Sequence, residues 1–134
     1  MKLFDSEIKV MDVLWRYGDL SAGKIAKILK KEIEWNRNTT YTVIKKCINK
    51  GAIKRYEPNF MCRAMISREE IQRYEATELV DRLFDGSVEK LFATFLSNDY
   101  LSKEEISVLR EYIENITKQQ GKKSLDIWIE KNDL

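Results

Sequence analysis

The chain has 134 residues, 24 lysines and arginines against 22 aspartates and glutamates, and a hydrophobic fraction of 43%, a size and balance that suit one globular domain or two small ones sharing a core. It contains no histidine and two cysteines, which removes the commonest general base, every Ser-His or Cys-His pair, and most of the ligands of a structural zinc. Its glycines are too dispersed for a phosphate-binding loop and its longest apolar run is Leu91–Leu96, so we expect no enzyme activity, no cofactor, no metal and no membrane insertion.

The N-terminal stretch MKLFDSEIKVMDVL carries acids within its apolar positions and no small-residue cleavage site, unlike a signal peptide. A cytoplasmic location is therefore expected, with Cys47 and Cys62 as free thiols. From Asp5 to Tyr17, Ile8, Met11, Leu14 and Trp15 recur at helical spacing and Gly18 supplies a stop. Ser21 can cap a second helix that carries Ile25, Ile28 and Leu29 and ends near Lys31. A third fits Asn38 to Lys50, with Thr40, Val43, Ile44, Cys47 and Ile48 inward and Gly51 closing it.

The period then changes. Residues 52–57 and 60–66 read as a β-hairpin around Pro58-Asn59. Three helices and a hairpin make a winged helix-turn-helix, whose third helix is the one that enters the major groove of DNA. Ser67 and Glu70 suggest a capping box for a long helix to about Phe84, ended by Asp85-Gly86. Val88, Leu91, Phe92, Phe95 and Leu96 form an apolar stripe on a fifth helix. Ser102 and Glu105 open a sixth, carrying Ile106, Leu109, Ile113 and Ile116. The carboxylate pairs Glu69-Glu70 and Glu104-Glu105 fall in first turns, where they complement the helix dipole. The expected architecture is mainly α with a small β-hairpin: a winged-helix domain over 1–66, a helical dimerisation domain over 67–120, and a tail over 121–134. The tail fits either a helix (Leu125, Trp128, Ile129) or a strand (Leu125, Ile127, Ile129). Three helices with such stripes bury them most simply against a second copy, so a homodimer is expected.

Charge is unevenly distributed. Residues 1–66 hold 14 basic and 7 acidic side chains, whereas residues 67–134 hold 10 and 15. The stretch WNRNTTYTVIKKCINKGAIKRY, Trp35 to Tyr56, has six bases and no acid. A solvated helix ordinarily mixes its signs, and a surface facing a polyanion does not. On the third helix Asn38, Thr39, Thr42, Lys45, Lys46 and Asn49 point outward, with Tyr41 at the margin. Hydroxyls and amides near the helix start suit base edges and phosphates, and the lysines suit the backbone. Lys54 and Arg55 at the base of the hairpin and Arg63 on its return strand are expected to grip the flanking phosphates. Trp35 is expected to anchor the helix to the core.

These segments resemble the BlaI/MecI/CopY penicillinase-repressor family. The run W-N-R-N-T-T-Y-T-V-I-K-K-C-I-N-K-G is similar to that family's recognition-helix segment, and the likeness extends to E-I-K-V-M-D-V-L-W at Glu7–Trp15 and S-R-E-E at Ser67–Glu70, covering about the first 118 residues. The resemblance implies a dimeric repressor of double-stranded operator DNA, binding an inverted repeat often built on TACA/TGTA, with Thr39, Thr42, Lys45 and Lys46 in DNA-contacting positions. Asn38 stands where the family usually has lysine, and Tyr41 occupies a variable position, so the operator need not match. The copper-responsive branch carries a cysteine-rich C-terminal motif that GKKSLDIWIEKNDL lacks. The β-lactam branch is relieved through a membrane-bound sensor protease that leads to cleavage between asparagine and phenylalanine in the dimerisation domain. The matching bond here is Thr94-Phe95. An alternative from another class is a winged-helix protein-interaction adaptor without specific DNA binding, its basic face docking an acidic partner.

Overall fold

The computed structural model describes the backbone of residues 1–131 and the side chains of residues 1–121. Helices α1 (Asp5–Tyr17), α2 (Ala22–Ile33) and α3 (Arg37–Asn49) precede strands β2 (Ile53–Tyr56) and β3 (Met61–Ala64), and a two-residue strand β1 (Leu20–Ser21) lies between α1 and α2. Helix α4 (Arg68–Leu83) follows, then α5 (Val88–Ser97) and α6 (Lys103–Lys131). The fold is a winged helix, as the sequence predicts, with hairpin strands shorter than the apolar runs suggest.

The chain separates into two compact units, Met1–Gly86 and Ser87–Leu134. The division falls after α4, not after Ile66, because Ile71 of α4 is buried in the same core as α1, α2 and α3. In this first unit α1 packs against α2, α3 and β3. It therefore buries a wider arc than one stripe: Glu7, Val10, Met11, Val13 and Leu14 are all buried. Ile8 and Trp15 sit at the core's margin, where the Trp15 indole donates to the Ile66 carbonyl at 2.9 Å. Ile25 and Leu29 of α2 and Val43, Ile44 and Cys47 of α3 complete the interior with Ile53 and Cys62 of the sheet. Cys47 and Cys62 are unbonded and buried, and burial pushes their thiols up to about 12 and about 11, so both stay protonated and unreactive at neutral pH.

The helix signals act as read. Ser21 accepts the Lys24 amide at 3.2 Å, Ser67 accepts the Glu70 amide at 3.1 Å, and Gly51 follows α3 at φ 82°, a left-handed conformation that glycine adopts without strain. The Ser102–Glu105 box is reciprocal, at 3.1 and 3.0 Å. At Ser67 the Glu70 carboxylate meets the hydroxyl instead of the amide, so only half of that box forms. Glu7, 1% exposed, supplies a capping contact outside the expected set, reaching back to accept the Phe4 amide at 2.7 Å.

The sheet has the order β1-β3-β2, all antiparallel. Leu20 pairs with Cys62 and Ser21 with Met61, so the chain forms a strand immediately before it caps α2. Two residues carry no period, and only pairing with β3 makes them a strand.

In the second unit, Ser87 caps α5 by accepting the Lys90 amide at 3.2 Å, and α6 runs unbroken for 29 residues through the segment that fits helix or strand by sequence. The side chains of Leu125, Ile127, Trp128 and Ile129, and all of residues 132–134, lie outside the described residues. Among the described side chains of this unit none is buried. Leu91, Phe95, Ile106 and Leu109 are half-buried, while Val88, Phe92, Leu96, Ile113 and Ile116 are exposed, Ile113 by 57%. No helix among the described residues is long and apolar enough to cross a membrane.

Candidate nucleic-acid interface

Asn36 begins α3 by accepting the Thr39 amide at 2.8 Å. Thr40, Val43, Ile44 and Cys47 then face inward, which leaves Asn38, Thr39, Thr42, Lys45, Lys46 and Asn49 exposed in one row, with Tyr41 half-buried beside them. This is the outward face that the sequence predicts. Trp35 is half-buried and packs against the core ahead of the helix, as expected of an anchor. No described acidic group forms an ion pair with Lys45, Lys46 or Lys54. That row combines hydroxyl and amide groups near the helix start with unneutralised ammonium groups further along, the two kinds of group that contact base edges and phosphates respectively.

The other cations of the basic stretch are placed differently. Lys50, the C-cap of α3, turns away from the row: its ammonium lies 2.6 Å from the Glu7 carboxylate and donates to the Lys2 carbonyl at 3.0 Å. Arg55 lies 2.7 Å from Glu57. Arg63 donates to Asp19 at 3.0 Å. Of the three hairpin cations expected to grip phosphate, then, only Lys54 lacks an acidic neighbour. The register supplies a reason for one pair. Lys54 stands directly opposite Arg63 across the β2–β3 ladder, and like charges so placed repel. Asp19 relieves that repulsion.

Asp19 also accepts the Tyr56 hydroxyl at 2.8 Å. That hydrogen bond first, and the one from Arg63 second, hold its carboxyl below the usual range, and the same bond raises the Tyr56 phenol. Glu57 is held low by the Phe60 amide and then by Arg55. The wing is thus internally bonded by two acids, Glu57 just after the acid-free stretch and Asp19 well before it.

Sequence reasoning singled out neither acid, and it also passed over Arg37. The Arg37 guanidinium is exposed in the first turn of α3 and donates to the Tyr41 hydroxyl at 2.9 Å. Their spacing of four residues along a helix was the available signal. Among the described residues no cluster of acidic or sulfur side chains could hold a metal ion.

Comparison with known proteins places the chain in a family. A penicillinase repressor from Bacillus licheniformis is 27% identical over 115 residues, covering 84% of this chain and 90% of the relative. One from Staphylococcus aureus is 28% identical over 116 residues, covering 85% and 92%. The solution structure of the monomeric form of Bacillus licheniformis BlaI in complex with the blaP half-operator is 25% identical, with a TM-score of 0.47 over 52% of this chain and 88% of that one. The family described as Penicillinase repressor matches residues 3–115, a span that takes in the whole winged helix, α5 and the first half of α6. On that match the chain belongs to the penicillinase repressor family.

Proposed function

We propose that this chain is a DNA-binding transcriptional repressor, without catalytic activity of its own, that works as a homodimer on an inverted-repeat operator. The observation that carries the reading is the exposed row on α3. Thr39 and Thr42 are free to meet base edges, and Lys45 and Lys46 present charge that no described acid neutralises. Asn38 and Tyr41 border the same surface, and Lys54 on the hairpin is exposed with no described acidic partner. The penicillinase repressors that this chain resembles support the assignment.

The second unit is the proposed dimerisation domain, with α4 serving to connect it to the winged helix. Its apolar side chains on α5 and α6 (Val88, Leu91, Phe92, Phe95 and Leu96; Ile106, Leu109, Ile113 and Ile116) remain at least partly open in the single chain. Burying such a stripe is favourable by roughly 25 cal/mol per Å² of apolar surface, and a second copy offers the matching stripe.

Lys45→Ala is the direct test. It is expected to weaken binding to operator and random duplex alike and to lower the slope of log affinity against log salt by about 1, as for one lost phosphate contact. An unchanged slope would remove α3 from the groove. Failure of the wild-type chain to bind any duplex, in shift assays that include its own upstream region, would favour a protein-interaction adaptor.

Relief of repression is proposed to come from cleavage of the Thr94-Phe95 bond by a pathway that begins at a membrane-bound sensor protease. The bond lies within α5, where Thr94 donates to the Lys90 carbonyl at 3.0 Å and the Phe95 ring sits 5.2 Å from that of Tyr100. A helix of 10 residues is short enough to open locally, and cutting there would part Val88, Leu91 and Phe92 from Phe95 and Leu96. Mass spectrometry of the chain from cells given a cell-wall antibiotic is expected to show fragments meeting at that bond. Intact chain while the target gene is induced would dismiss cleavage.

A further inference from the structure

At the tip of the wing, Phe60 has a φ of 53°, a region that bulky side chains occupy only under constraint. Its amide donates to the Glu57 carboxylate at 3.0 Å, and its carbonyl accepts the Ala22 amide at 2.9 Å. Glycine would satisfy that backbone without strain, so the tight turn by itself does not call for a phenylalanine. What the ring adds is a connection. It stands edge-on to the Tyr41 ring of α3, with centroids 5.7 Å apart and planes at 87°, and the Arg55 guanidinium lies 3.5 Å from its centroid. Tyr41 in turn carries Arg37, whose guanidinium lies 4.8 Å from the ring centroid while donating to the hydroxyl at 2.9 Å.

Arg55, Phe60, Tyr41 and Arg37 thus form one continuous stack from the wing to the first turn of α3. Each neighbouring pair is of a favourable kind, edge-to-face aromatic or cation over ring. Strained residues that their surroundings hold in place concentrate where a function depends on position. We propose that Phe60 is a positioning residue for duplex recognition: the stack fixes the wing against α3 and holds Arg37 ready as a further contact to DNA. The inference rests on the reading of α3 as the DNA-contacting helix. In it Arg55 serves the stack, and Lys54 is the wing's contact. A hairpin held still by the stack presents wing and helix to one duplex in a single arrangement. Removing that pre-organisation raises the ordering cost of binding.

The test uses the full chain and the duplex that the wild type selects from a random-sequence pool, with a scrambled duplex of equal length for comparison. Phe60→Leu keeps an apolar side chain and removes the ring. It is expected to bind the selected duplex about tenfold more weakly and to discriminate less between the two duplexes, while Phe60→Tyr restores both. A loss of packing alone would lower the melting temperature without this aromatic rescue of discrimination. Tyr41→Phe, which removes only the hydroxyl, should cost about threefold in affinity, and that cost should vanish in an Arg37→Gln background because the two act as a pair. Wild-type affinity and discrimination in Phe60→Leu would overturn the inference. So would a Tyr41→Phe effect that persists undiminished when Arg37 is already replaced. If the wild type selects no sequence, the repressor reading fails first and this one with it.

Discussion

A chain ending at Gly86 is expected to fold, to sediment as a monomer, and to bind its duplex roughly 10²–10⁴-fold more weakly than the full chain. Folding follows from the packing. The buried apolar cluster of α1, α2, α3, the sheet and Ile71 belongs entirely to the first unit. A cut at Ile66 would remove Ile71 from that core, together with the Arg68 guanidinium that donates to Asp12 at 2.8 Å. Weak binding follows from geometry. In the proposed dimer each winged helix reads one half-site, and the second half-site gains its high effective concentration through the link between the two copies. The truncation deletes α5 and α6, whose apolar side chains no other part of their own unit fully covers. Analytical ultracentrifugation and titration of both chains on an intact and a half operator would measure the effect. A full chain that sediments as a monomer at micromolar concentration would end the dimer proposal, and Phe92, Phe95 and Leu109 would then have to serve another contact.

The second large effect is one of stability. Lys50→Ala is expected to destabilise the folded chain by about 3 kcal/mol, because it strands a buried carboxylate without its cation. Glu7 is 1% exposed, and one of its oxygens accepts both the Phe4 amide and the Lys50 ammonium, while its Oε2 has no protein partner. The ammonium also lies 4.1 Å from the centroid of the Phe4 ring. Glu7→Gln removes the charge but keeps an acceptor for the Phe4 amide, so its cost should be smaller, about 1–2 kcal/mol. Replacing both residues should cost less than the sum of the two single changes, since the second change removes a charge that the first had already left unpaired. Urea denaturation of the three variants tests this ordering. If Lys50→Ala unfolds within 0.5 kcal/mol of wild type, a rough threshold set by ordinary surface changes, the pair does not contribute as described. Because Lys50 caps α3 and Glu7 lies in the first turn of α1, the pair also helps to set how α3 lies on α1.

Much of this organisation was legible in the sequence, and what was legible is local. Helical faces repeat every 3.6 residues and caps act over three, so the inward set of Thr40, Val43, Ile44 and Cys47 and the outward row from Asn38 to Lys46 could be read from the order of residues alone. The same holds for the caps at Ser21, Ser67 and Ser102. The acid-free stretch pointed to the face of α3 because charges three and four residues apart on one helix share one surface. The tertiary structure decided whatever depends on partners distant in sequence. Glu7 and Lys50 are 43 residues apart and Asp19 and Arg63 are 44 apart, so no local count could show that Lys50, a base of the acid-free stretch, and Arg63, expected to grip phosphate, are already engaged. Strand β1 exists only because β3 lies beside it, and α4 belongs with the winged helix only because Ile71 reaches the core. The stack through Phe60 depends on a left-handed turn that brings the wing to Tyr41. Periodicity and capping are short-range regularities of the backbone, whereas pairing, burial and charge compensation arise when the chain folds back on itself, and those contacts decided which of the predicted side chains remain free to meet DNA.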